Sequence, residues 1–176
     1  LSLSKNIIVT GPNAAGKTTL LKCTILNILF SQQVGKGFFE KGSLCPFDYI
    51  HCYLNIPDTS ARDSLFQAEA RRCKKILTFI ESLPNEKHFC IFDELYSGTN
   101  HYEAIGSAYS YLKYISQNRN VKFMLTTHFI QLCLLFEKES NIRNIEMETK
   151  IEDNTPTYSY KIIKGISKIK ELKKII

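Results

Sequence analysis

A short β-branched apolar run, Ile7-Ile8-Val9-Thr10, leads into Gly11-Pro12-Asn13-Ala14-Ala15-Gly16-Lys17-Thr18-Thr19, and a helical apolar pattern follows over residues 20–30. Strand, glycine-bounded loop and helix in that order are the context that a G-x-x-x-x-G-K-T phosphate-loop match needs. Glycines at 11 and 16 let the backbone approach a phosphate and turn its N–H groups inward. The helix that follows aims its N-terminal partial positive charge at the same anion. In such a loop Lys17 reaches the β- and γ-phosphates and the Thr18 hydroxyl sits on Mg²⁺. The pattern predicts a nucleotide site over residues 11–19.

The remaining composition sets bounds. At 176 residues the chain is long enough for one compact domain with a real core. No apolar run approaches the ~20 residues of a membrane span, so no bilayer crossing is expected. The chain opens on Leu1 rather than Met and enters the loop strand almost at once. It therefore reads as a fragment of something longer. Six cysteines (Cys23, Cys45, Cys52, Cys73, Cys90 and Cys133) show no C-x-x-C pairing and fall mostly in apolar runs. They are expected as small hydrophobes in a reducing, intracellular compartment, without a zinc or disulfide framework. A net charge of +6 permits contact with nucleic acid without requiring it.

Along the chain, strands and helices alternate, which predicts an α/β fold. Residues 31–46 are glycine-rich and aperiodic, a loop with one short strand around Phe38 and Phe39. Residues 49–54 form a strand ended by Asn55 and Pro57, and a polar stretch with several N-cap candidates follows. Leu65, Ala68, Cys73, Ile76, Leu77 and Ile80 mark one side of a long helix that ends before Pro84. Phe89 to Phe92 is a wholly apolar run, as expected of a strand buried on both faces. A helix over 101–116, a strand over 121–125 and a short apolar helix over 129–136 come next. Two extended runs, 142–151 and 157–163, flank an Asp153-Asn154-Thr155-Pro156 turn and predict a β-hairpin. The end, residues 164–176, is basic and helix-like.

The second chemical cluster is Asp93-Glu94, two adjacent carboxylates that close the apolar run Phe89-Cys90-Ile91-Phe92. A buried strand can pin its first carboxylate beside the loop threonine, where it holds Mg²⁺ directly or through water. Glu94, pointing differently, is then the candidate to orient or deprotonate the attacking water. Leu125-Thr126-Thr127-His128 puts a histidine just past another buried strand. Carboxyl ends of neighbouring strands in a doubly wound sheet line one crevice, so His128 is a candidate γ-phosphate contact; the other reading is a structural histidine at a strand end.

With these pieces together, the chain resembles the ATPase domain of the MutS family of DNA mismatch-repair proteins, within the wider ABC class of P-loop ATPases. The stretches that carry the resemblance are Thr10-Gly11-Pro12-Asn13-Ala14-Ala15-Gly16-Lys17-Thr18-Thr19, Phe92-Asp93-Glu94-Leu95-Tyr96-Ser97-Gly98-Thr99-Asn100 and Thr126-Thr127-His128-Phe129. Tyr160-Lys161-Ile162-Ile163-Lys164-Gly165 is similar to the late strand and glycine of that domain. The resemblance implies an ABC-type fold across residues 1–176, a largely parallel sheet flanked by helices with an antiparallel hairpin near the C-terminus. It implies Mg²⁺·ATP as ligand, with Thr18 and Asp93 serving the metal, Glu94 and His128 at the chemistry, and Asn13 hydrogen-bonding near the γ-phosphate. It also implies a partner, a second such domain, identical or not, meeting this one face to face.

In that arrangement the partner's nucleotide is met by a signature segment, best matched by Ser60-Ala61-Arg62-Asp63-Ser64-Leu65-Phe66-Gln67-Ala68-Glu69. Ser64 would offer its hydroxyl to the partner's γ-phosphate, cap its own helix, or do both. Departures from the family pattern are plain. Arg62-Asp63 stands where a glycine usually precedes the serine, position 19 is Thr rather than Ser, and C-terminal dimerising helices are not recognisable after Gly165. DNA would be met through upstream domains absent from this chain. The expected function is ATP binding and hydrolysis that drives closure of a MutS-like DNA clamp. The alternatives are an ABC-type ATPase of another system (a transporter motor or a chromosome-structuring protein) and a non-hydrolysing, ATP-gated dimerisation module. The basic segment 161–174 is either a DNA grip or a solvated face.

Overall fold

The computed structural model describes residues 1–54, 65–152 and 155–167. Ten elements follow in the order β1 (Asn6–Thr10), α1 (Lys17–Val34), β2 (Tyr49–Tyr53), α2 (Leu65–Ser82), β3 (His88–Asp93), α3 (His101–Ser116), β4 (Val121–Thr126), α4 (Ile130–Leu135), β5 (Ile142–Glu152) and β6 (Thr155–Lys164). The strands make one six-stranded sheet in the order β2-β3-β4-β1-β5-β6. Every pairing is parallel except β5 with β6, which is antiparallel. The expected mixed α/β sheet, mostly parallel with an antiparallel pair near the C-terminus, is therefore present.

Side-chain alternation along the strands builds two cores, because successive residues of a strand point to opposite faces. Ile8, Cys90, Phe92, Phe123 and Leu125 turn to one face and pack with Cys73, Ile76 and Ile80 of α2, Ala108 and Leu112 of α3, and Leu132 of α4. Ile7, Val9, Phe89, Ile91 and Met124 turn to the other face and meet Leu21, Ile25 and Ile28 of α1. Apolar residues are wanted on both sides of these strands, which is why β3 and β4 read as continuous apolar runs.

Local chemistry sets the element ends. Asn100 caps α3 by accepting the Glu103 N–H at 3.0 Å. Gly35, at φ 69, ends α1 by sending its N–H to the Ser31 carbonyl at 3.1 Å. Buried Asn6 accepts the Phe123 N–H at 2.9 Å, tying β1 to β4 beyond their ladder. Thr10 donates to the Ile145 carbonyl at 3.3 Å and accepts the Ser167 N–H at 2.9 Å, fixing the hairpin's exit under β1.

Two expectations need correction. The short strand around Phe38 and Phe39 does not form, and the described residues between α1 and β2 hold no strand. The Phe38 N–H goes instead to Asn27 Oδ1 at 2.6 Å, and its ring meets Phe30 edge-on with centroids 5.4 Å apart. Those local contacts take the groups that a ladder would need. The basic end does not start as a helix at Lys164, which is still the last residue of β6. Gly165 (φ 149) bends the chain and sends its N–H to the Asn144 carbonyl at 3.4 Å. The rest of that expected helix, residues 168–176, lies outside the described residues, as do Asp153 and Asn154 of the hairpin turn. Among the described residues no helix is long and apolar enough to cross a membrane. All six cysteines are free thiols.

Phe123 is among the largest side chains that are fully enclosed in the core. Phe123→Ala should lower unfolding free energy by about 3–5 kcal/mol in chemical denaturation. A loss under ~1 kcal/mol would contradict this packing.

Candidate functional site

Three strand ends meet at the carboxyl edge of the sheet. In register, Thr126 of β4 lies beside Asp93 of β3 on one side and Val9 of β1 on the other. The chain leaves β1 through a loop whose backbone needs left-handed conformations at Ala14 (φ 64) and Gly16 (φ 93). A Cβ on Gly16 would lie 3.2 Å from the Tyr160 ring, and one on Gly11 would lie 3.2 Å from Met147 Cβ. The β5–β6 hairpin thus presses directly on both glycines. Within the loop, Pro12 and Ala15 are buried, while Asn13, Ala14 and Thr19 are exposed. The buried Lys17 ammonium lies under the loop and donates to the carbonyls of Gly11 at 2.9 Å and Pro12 at 3.1 Å. Helix α1 then starts from a residue with no side chain, and its first turn carries no acid. Its first amides keep their positive end for an anion.

Asp93 collects donors from two directions. The Thr18 hydroxyl donates to its carboxylate, 3.0 Å from one oxygen and 3.1 Å from the other. The Thr126 hydroxyl, one strand over, donates to the same carboxylate. The chain then turns sharply: Glu94 sits at φ 54 and Tyr96 at φ 58, and the Glu94 N–H is held by the Thr126 carbonyl at 3.1 Å. Left-handed conformations cost roughly 1–2 kcal/mol each for residues other than glycine. Strain of this kind persists only where surrounding contacts over-determine it, and it gathers at functional sites.

The turn sends the Glu94 carboxylate toward His128. His128 Nδ1 lies 3.6 Å from Glu94 Oε1, an ion-pair distance too long for a hydrogen bond. The His128 ring beside it holds the Glu94 carboxyl below the usual carboxylate range, partial burial opposes that shift, and Lys17 reinforces it. His128 itself is half exposed and rests on Phe129, ring centroids 4.2 Å apart.

A cavity of about 320 Å³ opens at this point, with Thr18, Asp93 and Glu94 on one side and Tyr53, Leu65, Glu69 and Ser97 on the other. Thr18, Asp93 and Glu94 thus line one crevice, with Lys17 held under its loop and His128 beside Glu94. The Ser64 expectation lies outside the described residues. Four cavity or site residues carry no role in the sequence reading: Tyr53, Glu69, Ser97 and Thr126. Thr126 has a legible signal, a hydroxyl ending an apolar strand. Glu69 has another, since it falls four residues after Leu65 and four before Cys73 on the apolar side of α2. Among the described residues, no three His, Cys, Asp or Glu side chains converge as a metal cage.

A family model, MutS domain V, matches residues 7–171. The chain belongs to the MutS domain V family. Among its relatives, the DNA mismatch repair protein MutS of Streptococcus agalactiae serotype Ia is 28% identical over 159 residues, covering 90% of this chain and 18% of the relative. The protein of the same name from Caldicellulosiruptor saccharolyticus is 29% identical over 165 residues, with the same coverage of 90% and 18%. That from Persephonella marina is 26% identical over 161 residues, covering 91% and 18%. This MutS domain V chain thus spans about a fifth of the length of these relatives.

The neighbours of Glu94 set a pH expectation. The His128 ring and Lys17 favour the ionised carboxylate, so Glu94 should titrate below the ordinary carboxylate range. His128→Ala removes the principal cause, and the midpoint should then move up in pH. Carboxyl-carbon NMR titration of Glu94 reads both, and an unmoved midpoint would contradict the pairing.

Proposed function

We propose that residues 1–176 are an ABC-type P-loop ATPase domain, part of a longer MutS-like chain, which binds Mg²⁺·ATP and hydrolyses it. The observation that carries this reading is the Thr18–Asp93 contact. It sets a loop hydroxyl and a strand-end carboxylate together beside a helix N-terminus and a buried lysine. The residues present fit both groups. Backbone amides over 11–18 with Lys17 suit phosphate oxygens, and the hard oxygens of Thr18 and Asp93 suit Mg²⁺. Few protein ligands are needed, because Mg²⁺ commonly keeps waters and substrate phosphates in its shell. When bound, Mg²⁺ neutralises charge on the transferred phosphoryl group.

The protein's own part is positioning and proton handling. Lys17 exchanges loop carbonyls for phosphate oxygens. Glu94, kept ionised by His128, orients and deprotonates the attacking water across the cavity. His128 reads the γ-phosphate from the other side, and Asn13 adds a hydrogen bond near it. In the dimer, Ser64 of one domain completes the site of the other, and closure upon ATP drives the clamp that meets DNA through domains outside this chain. Free thiols throughout the chain suit a reducing intracellular compartment. The relatives, named as mismatch repair proteins, make repair of mismatched DNA the setting proposed for the parent chain.

In the full chain, Glu94→Gln should keep ATP binding while turnover falls at least ~10²-fold. Lys17→Ala should instead weaken binding itself by at least ~10-fold, since it removes a charge-assisted contact. Equilibrium binding and single-turnover hydrolysis measure the two. Unchanged turnover in Glu94→Gln would remove the base assignment, and ATP held uncleaved by the wild type would make the domain a binding module.

A further inference from the structure

Glu69 is a carboxylate on the apolar face of α2 and is only 2% exposed. Burial of an ion is tolerated when its oxygens are fully served by donors. Among the described residues three donors serve it, all from the loop after Glu94. The Ser97 N–H at 3.0 Å and the Ser97 hydroxyl at 3.1 Å reach Oε1, and the Gly98 N–H at 3.1 Å reaches Oε2. The loop is also jammed against the start of the helix. A Cβ on Gly98 would come within 2.6 Å of Leu65 Cγ and 2.9 Å of the Phe66 backbone nitrogen. Between this clamp and Glu94 lie only Leu95, which is buried, and Tyr96, which is buried, left-handed and packed on Phe66 with ring centroids 5.6 Å apart.

We propose that Glu69 is a positioning residue: its carboxylate fastens the 94–98 loop to the first turns of α2 and thereby holds Glu94 in the left-handed conformation that faces His128. The inference rests on the reading of Glu94 as the residue that activates water. With one end of the strained loop fixed at Asp93 by two hydroxyls and the other at Ser97 and Gly98 by Glu69, Glu94 has no backbone slack in which to relax. Without the clamp, the loop returns toward negative φ and the Glu94 carboxylate swings away from the imidazole and from the cavity it lines. A carboxylate misplaced by ~1 Å loses up to ~10²-fold in rate while leaving phosphate contacts untouched. Leu65 and Phe66 begin the helix that follows Ser64 in sequence, so the clamp also joins the segment proposed to meet a partner's nucleotide to the loop that handles this domain's own water.

The test uses the full chain with Glu69→Gln, Gly98→Ala and Ser97→Ala, each alone and in a Glu94→Gln background, measuring the dissociation constant for ATP, kcat and thermal stability. Ser97→Ala removes a single hydroxyl contact and is the mildest of the three. Glu69→Gln and Gly98→Ala should keep ATP affinity within about twofold and lower kcat by ~10-fold or more, with a smaller loss in Ser97→Ala. In a Glu94→Gln background the same substitutions should cost no further kcat, because the group they position is already gone, whereas a merely structural tie would still cost turnover there. Wild-type kcat in Glu69→Gln and Gly98→Ala would overturn the proposal. So would a joint fall of affinity, turnover and melting temperature, or a full further loss of kcat in the Glu94→Gln background. A wild-type chain that neither binds nor cleaves ATP would overturn the ATPase reading itself, which separates the two failures.

Discussion

One hydrogen-bonded contact organises the site: Thr18 in the first turn of α1 against Asp93 at the end of β3, 75 residues apart in sequence. The sheet order inserts β4 between β1 and β3, so the contact reaches across a strand. That intervening strand contributes too, since Thr126 donates to the same carboxylate. A carboxylate at a sheet edge, bonded by a helix hydroxyl and a strand hydroxyl, fixes the loop, the acidic turn and the histidine strand relative to one another. On the proposed reading, this is the metal end of the crevice: the Thr18 oxygen gives its hydrogen to Asp93 and keeps its lone pairs for the cation.

Much of this was legible in the letters, for physical reasons particular to each element. β3 and β4 lie inside a parallel sheet covered by helices on both sides, so they had to be short apolar runs, and they were found within a residue of their ends. Helix α3 announced itself through apolar residues at helical spacing, and the Asn100 cap came to light only in the structure. Helix α1 is longer than its apolar pattern suggested, because Lys17 to Thr19 and the polar turn before Gly35 are helical for reasons of loop geometry and capping rather than burial. Phe38 and Phe39 misled, since two adjacent aromatics favour a strand only when a ladder partner exists. Their N–H and ring surfaces found Asn27, Phe30 and two glycines instead.

The site was legible in its parts but not in its tensions. Letters alone placed Lys17, Thr18, Asp93, Glu94 and His128 in one neighbourhood, because glycine-loop and strand-end positions are fixed by the fold. Nothing in the letters announces that Glu94 and Tyr96 take left-handed backbone, and the place of Glu69 on the apolar side of α2 hints at burial without naming Ser97 and Gly98 as its donors. A glutamate on a helix reads as solvent-facing until a specific set of donors is known to surround it. Such donors come from a loop nearly thirty residues downstream, and only tertiary structure brings them in.

The measurement that reaches the central claim most directly is the dependence of ATP affinity on Mg²⁺, compared between the full wild-type chain and Asp93→Ala. If Thr18 and Asp93 hold the metal against the phosphates, Mg²⁺ tightens ATP binding in the wild type, and in Asp93→Ala that gain disappears while metal-free affinity is unchanged. An Asp93→Ala chain that keeps the full Mg²⁺ gain would contradict the account, because the contact on which the crevice is built would then have no part in holding the nucleotide.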